Sequence, residues 1–117
     1  IDLRKLSYFH HEETTLFGKE VLLSRTGYSG ERGYEIFCDR GDVVELWQKI
    51  LDIGRPAGVL PCSFTCLDKI RIEAALLFYP YDMDERFTPW EVGLDWALSR
   101  SSDYRGRDAV FAARGQE

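Results

Sequence analysis

The sequence predicts an α+β domain in which an antiparallel sheet is flanked by two main helices. Three observations carry that expectation. Short apolar runs separated by turn residues occupy the first third of the chain, a stripe of apolar residues at helical spacing follows Asp42, and a second such stripe begins at Ser63. Of 117 residues, 44% are hydrophobic and 30% charged, which is enough apolar material for one domain-sized soluble core and too much for a disordered segment.

The elements follow in order. Ile1 to Glu13 mixes Leu3, Leu6, Tyr8 and Phe9 with charges and reads as a short helix leading into a strand. Between Thr14 and Ser24, Leu16, Phe17, Val21, Leu22 and Leu23 flank a turn at Gly18-Lys19, the pattern of a hairpin. Tyr34 to Cys38 is the next strand and completes a meander. The first main helix takes Asp42 as its cap and Glu45 as capping-box partner, aligns Val43, Leu46, Trp47, Ile50 and Leu51 on one face with Trp47 as a core anchor, and stops at Gly54 and Pro56.

Ser63 opens the second main helix, with Phe64, Leu67, Ile70, Ala74 and Leu77 on its buried side. Asp68 with Arg71, and Lys69 with Glu73, stand at ion-pairing distance along it and read as a solvated flank. Tyr79 to Arg86 is a loop, and Gly93 to Leu98 alternates as a strand with Leu94, Trp96 and Leu98 on one face. Two helices against one sheet give a two-layer, ferredoxin-like arrangement over residues 1–117, read as a single α+β module. The chain begins at Ile1 and breaks off at Ala113 to Glu117 without a closing apolar segment, so it reads as a piece of a larger, multidomain protein.

Charge and motifs exclude several classes of function. A net charge of −5 with no basic run argues against nucleic-acid and anionic-membrane partners. No apolar stretch reaches the roughly 18 residues of a membrane span and no secretory leader is present, which makes the cytoplasm the expected compartment. Cys38, Cys62 and Cys66 read as reduced thiols packing as small core residues, and the adjacent His10 and His11 as a solvated pair. The acids Asp82, Asp84 and Glu85 lack the central glycine and regular spacing of a calcium loop, so no metal site is expected. Hydrolase, nucleotide, dinucleotide and zinc-protease motifs are missing.

What remains is the run from Arg25 to Ile36, where Gly27, Gly30 and Gly33 punctuate a strand-like stretch. Glycine tolerates positive φ and close approach, so this spacing predicts a shaped loop between two strands that holds Tyr28, Tyr34 and Glu35 around it. A strand rather than a helix follows, which removes the dipole a phosphate site would use.

This run resembles the RxGYTGExGFEI signature of the glycine-cleavage T-protein, or aminomethyltransferase, family. Asp68 to Leu76 followed by Tyr79, Asp82 and Asp84 is similar to the family's DxLRLExGLxLYGxDI run, and Thr88 to Trp96 to its TPxEAGLxW segment. Tyr104 to Ala109 is similar to the step that comes next, and order and spacing agree from about Leu16 to Val110.

The resemblance implies a central portion of a folate-binding region, with tetrahydrofolate as cofactor and an aminomethyl or methyl group as cargo. It implies Glu35 as the pterin ligand, because one carboxylate accepts both the exocyclic amine and the ring N–H of a pterin. Tyr28 would lie beside the ligand, stacking or hydrogen-bonding, or else serve the loop structurally. Arg71 matches the second arginine of the family motif and is either a folate-site residue or a structural ion-pair partner. Leu67 stands where the family carries an arginine that contacts folate, a departure that points to another tail contact or another substrate. The family's catalytic aspartate precedes this segment, so no catalytic residue is assigned within it.

Expected partners are a small one-carbon donor or a lipoyl carrier protein, together with the remaining domains of the parent chain. The product would be methylene- or methyl-tetrahydrofolate according to the oxidation level transferred. The isolated piece is expected to be inactive. Two other readings stay open: a folate-binding or regulatory module without turnover, and a structural domain of a larger dimethylglycine- or sarcosine-type oxidoreductase.

Overall fold

A computed structural model describes residues 1–115, in two compact units, Ile1–Leu76 and Leu77–Glu117. Gln116 and Glu117, the end of the tail at which the sequence reads as breaking off, lie outside the described residues.

The first unit carries the sheet: β1 (His11–Leu16), β2 (Lys19–Ser24) and β3 (Glu35–Cys38), antiparallel in the order β1-β2-β3. The hairpin is as expected, but its two-residue turn is Phe17 and Gly18, one residue before the Gly18-Lys19 predicted, because Lys19 already pairs opposite Leu16. Both turn residues have positive φ, 53° and 79°, the handedness that matches the twist of the flanking strands and that glycine supplies without strain. The predicted helix before β1 is absent. Residues 3–5 form a turn closed by the Lys5 amide on the Asp2 carbonyl at 2.9 Å, and the charged, three-residue-spaced pattern there is too short to propagate a helix.

Register sorts the side chains by face. Val21 and Leu23 share one face with their cross-strand neighbours Cys38 and Ile36, whereas Leu22 and Ser24 share the other with Phe37 and Glu35. Val21 and Leu23 are buried together with Leu6, Leu46 and Leu51, and these five make the core of the unit. Full burial of side chains of this size is worth about 1.5–3 kcal/mol each.

Helix α1 (Val43–Gly54) begins where predicted but is not capped as predicted. The Asp42 carboxylate makes no bond to the first turn; its Oδ1 accepts from Lys19 Nζ at 2.6 Å. Glu45 completes no capping box either, because it stands 3.3 Å from Lys19 Nζ and 2.7 Å from Lys49 Nζ. An ammonium on β2 attracts a carboxylate more strongly than a neutral backbone N–H does, and the exchange ties β2 to the start of α1. Lys19 lies on the face of Val21 and Leu23, so α1 starts on the buried side of the sheet.

One further expectation for α1 is corrected. Trp47 is 53% exposed and Val43 51%, so the buried edge of the helix runs through Leu46 and Leu51 instead. The helix ends at Gly54, as the sequence predicts, and a separate 3₁₀ turn at Arg55–Ala57, with Pro56 near its start, runs on to Gly58 in the left-handed region.

Helix α2 (Phe64–Glu73) is capped by Ser63, whose hydroxyl accepts from the Cys66 amide at 3.3 Å, as the sequence predicts. It ends before Ala74, so Ala74 and Leu77 extend no helical stripe, and Phe64 is 68% exposed. Cys62 is likewise exposed rather than a core thiol, while Cys38 and Cys66 are half-buried. His10 and His11 are exposed, as read.

The second unit is built from turns. The expected loop spans 79–86, where Arg86 pairs with Asp84 and the Tyr79 hydroxyl donates to Glu85. Gly93 to Leu98 is not a strand: Asp95–Ala97 form a 3₁₀ turn and Trp96 is 74% exposed. Alternation alone does not make a strand; a partner must supply the hydrogen-bond ladder. Helix α3 (Arg107–Ala112) is held by Trp90, whose indole N–H donates to the Val110 carbonyl at 2.7 Å and whose ring meets Phe111 edge-on at 5.6 Å. No helix among the described residues is long and apolar enough to cross a membrane.

The chain thus has the α+β fold that the sequence predicts: a three-stranded antiparallel sheet with two main helices.

Candidate functional site

The loop between β2 and β3 is fixed at both ends. On one side Gly30, at φ 72°, is set so close to Ala74 that an added Cβ would stand 2.3 Å from the Ala74 Cβ. Next to that contact the Tyr28 hydroxyl donates to the Leu76 carbonyl at 3.5 Å, and Arg71 Nη1 donates to the same carbonyl at 3.0 Å. On the other side Arg32 Nη2 and the Tyr34 hydroxyl reach the Leu3 carbonyl at 3.2 and 2.8 Å, and Arg25 Nη1 reaches the Leu6 carbonyl at 2.9 Å.

Arg71 is buried, 4% exposed, and is no member of a solvated flank. Its Nε and Nη2 contact Asp68 Oδ1 at 2.8 and 2.7 Å, so the guanidinium neutralises a partly exposed carboxylate and ties α2 to the turn that follows it. The expected Asp68–Arg71 pair is therefore present, in a drier setting than spacing alone implied.

Glu35 is the first residue of β3, opposite Ser24, and its side chain is exposed. Its Oε2 accepts from the Thr26 hydroxyl, which stands 3.0 Å from the Ser24 hydroxyl. A threonine has one hydroxyl proton, so donation to Glu35 leaves Ser24 to donate to Thr26, a chain of two hydroxyls ending on the carboxylate. Thr26 and Ser24 escaped the sequence reading. The signal was present, since a hydroxyl residue follows Arg25 directly in the motif, but only pairing of β2 with β3 shows that it meets Glu35.

Of the three residues predicted to hold a cofactor, Tyr28 and Arg71 converge on one carbonyl, that of Leu76, whereas Glu35 is held by Thr26. An open groove of about 650 Å³ lies over the strands, with Glu13, Thr15, Glu20, Leu22 and Phe37 among the residues that line it. Tyr28, Glu35 and Arg71 do not line it, but alternation puts Glu35 on the same sheet face as Phe37 and Leu22. Its lining mixes the acids Glu13, Glu20 and Asp39 with the apolar Leu22 and Phe37.

Electrostatics elsewhere are local. Hydrogen bonds that the Lys19 ammonium donates to Asp42 and Glu45 hold it above its ordinary pKa, and Lys49, then Lys19, hold Glu45 below its own. In the second unit Arg86 lowers Asp84, Tyr79 lowers Glu85, and the Thr88 amide lowers Glu91, to which it donates at 2.7 Å.

The fold, with its glycine-loop hairpin and carboxylate at the head of an edge strand, places the chain in the α+β class and gives that class a distinctive sheet-loop-helix clasp. Comparison with known proteins gives the family: the model described as "GCVT N-terminal domain" matches residues 1–102, and the chain belongs to that family. It is 46% identical to a "Heme-dependent oxidative N-demethylase gamma subunit" of Ectopseudomonas mendocina, an alignment covering 98% of this chain and 33% of that protein. It is 40% identical to an "Aminomethyltransferase" of Pseudothermotoga lettingae, over 94% of this chain and 30% of the relative. An aminomethyltransferase of Clostridium botulinum is also 40% identical, over 99% and 32%. The chain spans about a third of the length of the curated relatives it matches. The resemblance drawn from the motifs is thereby borne out.

Proposed function

We propose that the protein to which this chain belongs is a tetrahydrofolate-dependent one-carbon transferase or demethylase, and that this third of it contributes Glu35 to the pterin site. The observation that carries the reading is the state of Glu35: exposed, at the head of β3, and oriented by Thr26 through one oxygen. Each carboxylate oxygen has two lone pairs, so the bond from Thr26 leaves capacity for both donors of a pterin edge. These residues therefore fit the group.

In this reading tetrahydrofolate, when bound, supplies a ring nitrogen that accepts the one-carbon unit. Glu35 fixes the orientation of the pterin, Thr26 holds the Glu35 rotamer, and Tyr28 lines the approach from the glycine loop. Arg71, buried and engaged with Asp68, acts through the Leu76 carbonyl that it shares with Tyr28 and keeps the loop in place. Positioning of this kind turns a bimolecular transfer into a nearly unimolecular one. A small methylated donor or a lipoyl carrier protein would supply the carbon, the other domains of the parent chain would complete the site, and the cytoplasm is the compartment that fits. On its own this third of the protein would not turn over.

A second reading is favoured by the relative of higher identity among those described, the gamma subunit of an oxidative N-demethylase. Oxidation of an N-methyl group delivers its carbon at the level of formaldehyde, and a folate-binding subunit would capture it. The test for both is consumption of a methylated donor by the intact protein with and without tetrahydrofolate. Folate-dependent turnover by the protein alone supports the transferase; turnover that needs a separate redox subunit supports the second reading; turnover indifferent to folate contradicts both.

A further inference from the structure

The start of α2 carries two thiols, four residues apart on either side of the cap, that the proposed function does not use. Cys62 precedes the cap residue Ser63, and Cys66 is the third residue of the helix. The Cys66 amide closes the turn on Ser63, at 3.0 Å from its carbonyl and 3.3 Å from its hydroxyl. Helical Cα–Cβ bonds tilt toward the N-terminus, and a side chain at this third position hangs back over the cap, the placement that a capping-box glutamate uses. Here that side chain is a thiol, and the residue it hangs toward is flanked by Cys62.

Accessibility is suited to exchange. Cys62 is exposed, Cys66 half-buried, and both are free. Cys62 Sγ is 3.9 Å from the Leu60 carbonyl, a weak contact that leaves the sulfur open to solvent. Cys62 also raises the pKa of Cys66, against a smaller lowering by Lys69.

We propose that Cys62 and Cys66 are a reversible dithiol–disulfide site at the head of α2, oxidised by a small disulfide such as oxidised glutathione. The Cys62 thiolate attacks one sulfur of the oxidant, forming a mixed disulfide and expelling one glutathione thiolate. The Cys66 thiolate then attacks the Cys62 sulfur, forming the internal bond and expelling the second. Two cysteine protons pass to the two glutathione thiolates, so one disulfide is reduced as one is made. A loop this short gains little from constraint of the unfolded chain, and exposed disulfides of this kind are the readily reduced, responsive ones. Cys38, on β3, is outside the pair.

The test equilibrates the intact protein in buffers of graded reduced-to-oxidised glutathione ratio, alkylates remaining thiols, and reads the peptides by mass spectrometry. In the oxidising buffers the peptide with Cys62 and Cys66 is expected unalkylated and lighter by two hydrogens, reverting in reduced glutathione. Cys62→Ser and Cys66→Ser are expected to give at most a single glutathione adduct. The proposal is overturned if the wild type keeps both thiols alkylatable at every ratio, if a glutathione adduct on Cys62 persists beside a free Cys66, or if the bond formed includes Cys38.

Discussion

Gly30 and Ala74 touch so closely that a methyl group on Gly30 has no room: its carbon would stand 2.3 Å from the Ala74 Cβ. The contact seats the β2–β3 loop on the end of α2, and it sets the position from which Tyr28 reaches the Leu76 carbonyl. Replacing Gly30 by Ala overpacks this point and strains a positive φ. A loss of about 1–3 kcal/mol from overpacking is expected in chemical denaturation. The double variant with Ala74→Gly should regain most of the overpacking part, leaving the backbone strain; no recovery would mean that the contact is not what limits this position.

The Asp68–Arg71 pair makes an asymmetric prediction. Asp68→Ala withdraws from the buried guanidinium the carboxylate that its Nε and Nη2 contact and should cost about 1.5–3 kcal/mol, the worth of a hydrogen bond to a charged group. Arg71→Leu removes the charge along with its burial penalty and leaves a carboxylate that is 43% exposed, so its cost should be the smaller of the two. Denaturation midpoints of the two variants decide the order.

Acid should destabilise the protein before base does. Glu45, Asp84, Glu85 and Glu91 have folded pKa values held below their ordinary ones, so their contribution is complete above the unfolded carboxylate range and is lost as pH falls through the folded values. Lys19 is raised, and its contribution is present below its unfolded pKa and lost only as pH rises through the folded one. Melting temperatures across a pH series should therefore fall below about pH 5, and Lys19→Met should flatten that limb in part by releasing Glu45, which Lys49 still holds. A limb unchanged in the variant would show that the β2–α1 ion pairs contribute nothing.

In the second unit, Trp90→Phe keeps an aromatic ring against Phe111 but removes the donor to the Val110 carbonyl. The expected loss is about 1 kcal/mol, confined to protection of amides around α3 in hydrogen exchange.

The parts of this fold legible in the sequence are those fixed by neighbours in the chain. The hairpin around Gly18, placed to within one residue, the Ser63 cap and the Asp68–Arg71 spacing each depend on residues within four positions of one another. The failures share the opposite property. Asp42 leaves its own helix end for Lys19, 23 residues away, and no local signal announces that competition. Leu94, Trp96 and Leu98 alternate like a strand but form none, since pairing is a property of two segments. At the candidate site Glu35 and Tyr28 were readable through the motif, whereas Thr26 became visible only when β2 and β3 were in register.

The central claim is that Glu35 holds a pterin, and it is tested most directly by calorimetric titration of the intact protein with tetrahydrofolate, wild type beside Glu35→Gln. Micromolar binding that weakens by about 1.5–3 kcal/mol in the variant, the usual worth of a hydrogen bond to a charged group, is the predicted result. Equal affinities in the two folded proteins, or no heat from either, would contradict it.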